Sequence, residues 1–128
     1  MKKLYVLRRE KTLDSKEKAI IFARIADDKK AEEIVILEVK EVSFIADFFV
    51  ICSGLNSRQL QGIADEVELK MKEYGIYRSG IEGYAEAKWI LIDYGDVVLH
   101  LFCQEMRHFY DLELLWGDAP KIPWRTPL

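Results

Sequence analysis

Two sets of residues in this chain have types and spacings that could do chemistry. Cys52-Ser53-Gly54-Leu55-Asn56-Ser57 follows an apolar run and precedes a helical pattern. A strand, a small-residue turn and a helix N-terminus can together hold a phosphate. Asp93 and Asp96 could then hold Mg²⁺, and the chemistry would be phosphoryl transfer. One requirement is missing. No two carboxylates alternate along one strand after the turn, the usual way to put two metal ligands on one face. Asp93 and Asp96 instead flank a turn, where acidic residues are common. The second set is nucleophilic. His100 and His108 are the only histidines, and Cys103 lies five residues from His108, on a different face of any helix. Gly-x-Ser-x-Gly, P-loop and His-Glu-x-x-His motifs do not occur. The two cysteines, Cys52 and Cys103, sit in apolar strand-like runs, read as small buried hydrophobes and lack metal-ligand spacing. No catalytic residue, metal site or cofactor is expected.

Recognition is a better use for the most informative stretch, Trp89 to Phe102. Two apolar runs, Trp89 to Tyr94 and Val97 to Phe102, meet at an acidic turn. Alternation puts Trp89, Leu91 and Asp93 on one face and Ile90, Ile92 and Tyr94 on the other. If Ile90 and Ile92 meet the core, Trp89 and Leu91 project beside acidic groups. An apolar centre with a charged rim is how binding hot spots are built. The alternative is that Trp89 covers the core beneath the last helix.

The elements that must position these residues follow from periodicity. Asp14 and Glu17 form a capping-box pattern, followed by apolar residues at helical spacing from about Ser15 to Lys30. Ile34 to Leu37 with Val39, and Phe48 to Cys52, are near-continuous apolar runs suited to strands covered on both faces. The link between them is too short for a helical crossover, so they pair antiparallel. Leu60, Ile63, Ala64, Val67, Met71 and Tyr74 form one helical stripe. Asn56 caps that helix with Gln59 reaching back, and Gly75 stops it. Gly62 inside it is costly and implies a close backbone approach. Ile76 to Glu82 is a short irregular piece, and a final helix runs from about Gln104 to Trp116, ended by Gly117. The expected fold is α/β: a single domain with a mixed sheet of four to five strands and helices packed on it. Residues 1–13 form an arm or extra strand, 14–118 the domain, and 119–128 an extended tail holding all three prolines.

At 128 residues, half of them hydrophobic, the chain can build one core without staples. No apolar run approaches the roughly 20 residues that span a bilayer. Leu4 to Leu7, between basic residues, is too short for a signal-peptide core. No membrane association is expected, and the expected location is the cytoplasm, where a disulfide would not persist. The net charge of −3 hides an asymmetry: residues 82–118 carry eight acidic and two basic side chains, a local −6. Such a surface repels phosphate and attracts a basic partner. Direct, sequence-specific nucleic-acid binding through it is disfavoured, because that affinity is largely phosphate neutralisation.

Several stretches resemble the ribosomal silencing factor family, also called Iojap-like proteins. They are Asp47 to Gly54, Asn56-Ser57-Arg58-Gln59, Ile63 to Val67, Glu82-Gly83, Trp89 to His100 and Phe109 to Trp116. The resemblance covers roughly residues 17–120. It implies a nucleotidyltransferase-like fold without the catalytic groups. It implies binding to the large ribosomal subunit through that subunit's ribosomal protein fourteen, where the small subunit would sit. Subunit joining is then blocked and translation repressed. The family's hairpin tryptophan corresponds to Trp89. By position, Glu82, Asp93, Tyr94, Asp96 and His100 join it as partner-binding residues. A homodimer of the free protein is compatible with this reading. The competing function is a nucleotidyltransferase-like enzyme using Mg²⁺ and a nucleotide.

Overall fold

The structure, a computed structural model, describes residues 12–109, 111 and 117–125. The described residues form three helices and five strands in the order α1 (Ser15–Asp28), β1 (Glu32–Glu38), β2 (Phe48–Gly54), α2 (Ser57–Glu73), β3 (Gly80–Glu82), β4 (Trp89–Asp93), β5 (Val97–Cys103) and α3 (Gln104–Phe109). The mixed sheet has the order β1-β2-β5-β4-β3. Two antiparallel hairpins, β1/β2 and β4/β5, are joined by the parallel pairing of β2 with β5. The long connection through α2 makes that parallel pairing possible.

Local chemistry sets the helix ends. The Asp14 side chain accepts from the Glu17 N–H, and the Glu17 side chain accepts from the Asp14 N–H. This completes the expected capping box and satisfies donors that α1 itself cannot pair. Asn56 accepts from the Gln59 N–H at 2.8 Å. The Gln59 side chain reaches one residue further back than expected and accepts from the Leu55 N–H at 2.6 Å. Gly75 follows α2 at φ +73°.

α1 and α2 cover one face of the sheet. Phe22, Ala26, Ile63, Val67 and Met71 pack there against Val50, Ile90, Ile92, Leu99 and Leu101, all buried. The stripe predicted for α2 is this buried set, except that Tyr74 lies past the helix end and is exposed. On the second face, Leu37, Phe49, Ile51, Val98 and Phe102 form a smaller cluster with Val39, Ala46 and Ala119.

Two expectations are corrected, and a third is added to. Gly62 makes no close approach, since a Cβ built there would meet nothing within 4 Å. Its presence therefore reflects no packing demand. The final helix is Gln104–Phe109, and Asp111 is not helical, so that helix does not run unbroken to Trp116. The expected helical residues Tyr110 and Leu112–Trp116 lie outside the described residues. The tail beyond Pro120 does more than extend. Lys121 bridges Leu37, the Ile122 N–H donates to the Ile36 carbonyl at 2.9 Å, and Trp124 Nε1 donates to the Ile34 carbonyl at 3.3 Å. The outer edge of β1 is thus paired, which protects a strand edge that would otherwise invite other chains.

Candidate partner-binding site

Partners in a sheet stand side by side on one face, so the pairing register lays out the second face as rows. Glu82, Leu91, His100, Ile51 and Val35 form one row across β3, β4, β5, β2 and β1. Trp89, Phe102 and Ser53 form the row on one side of it, and Asp93, Val98, Phe49 and Leu37 the row on the other. The alternation in Trp89–Asp93 is as expected: Ile90 and Ile92 are buried under the helices, while Trp89, Leu91 and Asp93 are half-buried on the other side.

Trp89 is held from three directions. Its ring stacks on Phe102 with centroids 5.0 Å apart, and its Nε1–H donates to His100 Nδ1 at 3.3 Å. Its backbone is held by Gly83, at φ +79°, where a Cβ would lie 2.1 Å from the Trp89 carbonyl oxygen. Only glycine lets the 83–88 turn close onto the start of β4. His100 is 5 % exposed, its ring T-shaped against Phe49 with centroids 4.9 Å apart and near-parallel to Phe102 with centroids 6.2 Å apart. Burial lowers its pKa from 6.5 to about 4. The imidazole is therefore neutral at pH 7. With Nδ1 accepting, its proton sits on Nε2. Nε2 has no partner among the described residues. His100 lies beneath Trp89 and fixes the indole's direction.

The other predicted residues divide between places. Glu82 is exposed beside Leu91. Asp93 Oδ1 accepts from the Gly95 N–H at 2.7 Å and pins the hairpin turn. Asp96 turns toward α1, where its Oδ1 pairs with Lys18 Nζ at 2.6 Å. Tyr94 lies on the helix-covered face, its ring 5.2 Å from Phe22. Burial, with Glu68 adding, raises its pKa to about 12. Trp89, Glu82, Asp93 and His100 thus share one face, whereas Tyr94 and Asp96 do not.

The residues that suggested phosphoryl transfer have other employment. At the turn into α2 the Leu55 N–H donates to the Gln59 side chain and the Gln59 N–H to the Asn56 side chain. A Cβ on Gly54 would lie 2.6 Å from Leu60 Cδ2, so this glycine admits a core leucine. The two aspartates are engaged by Gly95 and Lys18, as above. Burial raises the Cys52 thiol to about 12, far from a thiolate at pH 7.

Sequence reasoning missed two contributors. Phe102 shares the parity of His100 in β5, and that alternation could have revealed it as the floor under Trp89. Arg107 is 5 % exposed and donates to Ser53 Oγ and to the Glu33 carbonyl, both at 2.8 Å. It ties α3 to β2 and to the β1 irregularity, where Glu33 has φ +52°. A lone arginine in a short helix carries no sequence signal for that role.

Residues 12–127 match the family model described as ribosomal silencing factor during starvation. The ribosomal silencing factor of Halalkalibacterium halodurans is 52 % identical over 96 residues, 75 % of this chain and 82 % of that protein. The one from Bacillus subtilis is 47 % identical over 100 residues, 78 % of this chain and 85 % of that protein. The chloroplast Iojap protein of Arabidopsis thaliana is 36 % identical over 105 residues, 81 % of this chain and 43 % of that protein. A crystal structure of a Chromobacterium violaceum protein superposes with a TM-score of 0.79 at 29 % identity, covering 90 % of this chain and 95 % of that one. A match spanning nearly all the described residues, with the same mixed sheet in a solved structure, places this chain in the ribosomal silencing factor family.

Proposed function

We propose that this chain binds the large ribosomal subunit through its ribosomal protein fourteen, where the small subunit would dock, and so blocks subunit joining and represses translation. The observation that carries this reading is the Trp89 site. A half-buried indole is locked by His100 and Phe102, flanked by Leu91, and rimmed by Glu82 and Asp93. A pre-fixed aromatic loses little freedom on binding, and such residues dominate interfaces. The eight carboxylates of residues 82–118 favour a basic ribosomal protein over bare RNA. Glu82, Trp89 and Asp93 make the contact. Tyr94 and Asp96 support the adjoining turn, and His100 supports Trp89 from beneath.

The mechanism is steric. No bond is made or broken, and the factor competes with the small subunit by mass action. The Trp89–Leu91 pair also gives the free protein a surface for pairing with a second copy. Co-sedimentation with separated subunits tests the reading. Large subunits should carry the protein down, small subunits should not, and the joined fraction should fall in a reassociation assay. Equal binding to both subunits, or to neither, would sink it.

A further inference from the structure

The loop of residues 39–47 joins β1 to β2 and is fixed by its own hydrogen bonds. The Val39 N–H donates to the Asp47 carbonyl at 2.8 Å and the Val42 N–H to the Val39 carbonyl at 3.0 Å. The Ile45 N–H donates to Ser43 Oγ at 3.0 Å. The Asp47 and Phe48 N–H groups both donate to the Asp96 carbonyl, at 2.7 and 3.2 Å. That last pair joins the loop to the β4–β5 turn. Val39 and Ala46 point inward and are buried in the second-face cluster. The side chains between them point out: Phe44 is fully exposed, Ile45 is 70 % exposed and Val42 is 52 % exposed.

Three large apolar groups on a hydrogen-bonded loop contribute nothing to the core. Clustered exposure of this kind, with a polar rim, marks protein interaction sites. The rim here is acidic. Glu38, Glu41, Asp47, Asp93 and Asp96 lie on this loop, the strand end leading into it or the joined turn; among the described residues the cations beside them are Lys40, paired with Glu38, Lys18, paired with Asp96, and Lys121, bridged to Leu37. Because the loop is already fixed, binding would cost little ordering entropy. The carboxylates repel nucleic-acid phosphates and anionic lipid headgroups alike, and complement a basic protein.

We infer that the β1–β2 loop is a second anchor of the partner interface, with Phe44 and Ile45 entering an apolar socket on a basic protein surface. This rests on the proposed docking through the Trp89 face. Asp93 and Leu37 occupy one row three strands apart, about 14 Å at the usual strand spacing, and Trp89 lies about 13 Å further along β4. Trp89 is then roughly 20 Å from the Leu37 end of the loop that carries Phe44 and Ile45. A standard interface of about 800 Å² per partner is roughly 30 Å across and spans both.

The test compares the double variant Phe44→Ser/Ile45→Ser with Trp89→Ala for binding to purified large subunits. Both loop side chains are exposed, so the double variant should melt like the wild type yet lose affinity about tenfold or more. Wild-type affinity in the double variant, with binding lost in Trp89→Ala, would remove the loop from the interface and leave the Trp89 reading standing. Wild-type affinity in both would overturn both. A photo-crosslinking amino acid in place of Phe44 gives an independent readout. It should label a lysine- and arginine-rich protein of the large subunit. Labelling of ribosomal RNA or of a second copy of this chain, or pelleting of the protein with phosphatidylglycerol vesicles, would overturn the inference.

Discussion

The two faces of the sheet are built from the same strands but from different chemistry. Under α1 and α2 the strands present Val50, Ile90, Ile92, Leu99 and Leu101, aliphatic groups closed by Phe22, Ile63 and Met71. One residue along each strand, the second face presents Phe49, Trp89, His100 and Phe102, held by ring stacking and by Trp89 donating to His100. Aliphatic packing is non-directional and rewards area alone. Stacked rings with a hydrogen bond fix the direction of one side chain, which a binding anchor requires and a core does not. On the proposed reading, the alternation of β4 separates stability from recognition residue by residue.

The strongest way to break that division is to truncate one large side chain on each face. Phe22→Ala removes a fully buried ring. It should cost about 3–5 kcal/mol of stability in urea titrations while leaving the affinity of the folded fraction unchanged. Trp89→Ala should do the reverse. Binding to large subunits should weaken by about 2–4 kcal/mol, roughly thirtyfold to a thousandfold, with a smaller stability loss than Phe22→Ala because the ring is only half-buried. Equal melting losses with undiminished binding would mean that Trp89 is core in the same sense as Phe22.

A second contrast is in pH response. Among the described residues, no histidine lies on the helix-covered face. The second face holds His100, lowered from 6.5 to about 4 by burial. The unfolded chain takes up this proton as pH falls through 6.5, whereas the folded chain resists until about 4. The stabilisation is therefore complete above 6.5 and is lost on descending toward 4. Between pH 7.5 and pH 5 it should cost about 2 kcal/mol. His100→Phe should flatten that slope in denaturation curves collected across this range. An unchanged slope would place the pH sensitivity elsewhere.

How much of this was legible in the sequence varies by element. The Asp14–Glu17 box, the α2 stripe and both antiparallel hairpins depend on neighbours close in the chain, and periodicity reports such neighbours well. The parallel pairing of β2 with β5 depends on residues about fifty apart, and no local pattern carries it. The same limit hid the Lys18–Asp96 ion pair and the pairing of the tail with β1. In the candidate site, Trp89, Leu91, Asp93 and Glu82 followed from alternation and the family pattern. The lock between Trp89 and His100 did not, because it needs the register of two strands.

Gly62 offers the smallest and cleanest test of the division, because here the expectation from sequence failed. A glycine inside a helix costs up to about 1 kcal/mol relative to alanine, through backbone freedom in the unfolded chain. Such a cost is usually kept for close packing, yet a Cβ at position 62 would meet no atom within 4 Å. Gly62→Ala should therefore stabilise the protein by about 0.5–1 kcal/mol, raising the melting temperature by about 2–5 °C. The residue lies on α2, away from Trp89 and the β1–β2 loop, so binding to large subunits should not change. A lower melting temperature would reveal a contact that the packing around α2 does not show. A stabilised variant with weakened binding would show that the helical layer also touches the partner, and recognition would no longer be confined to one side of the sheet.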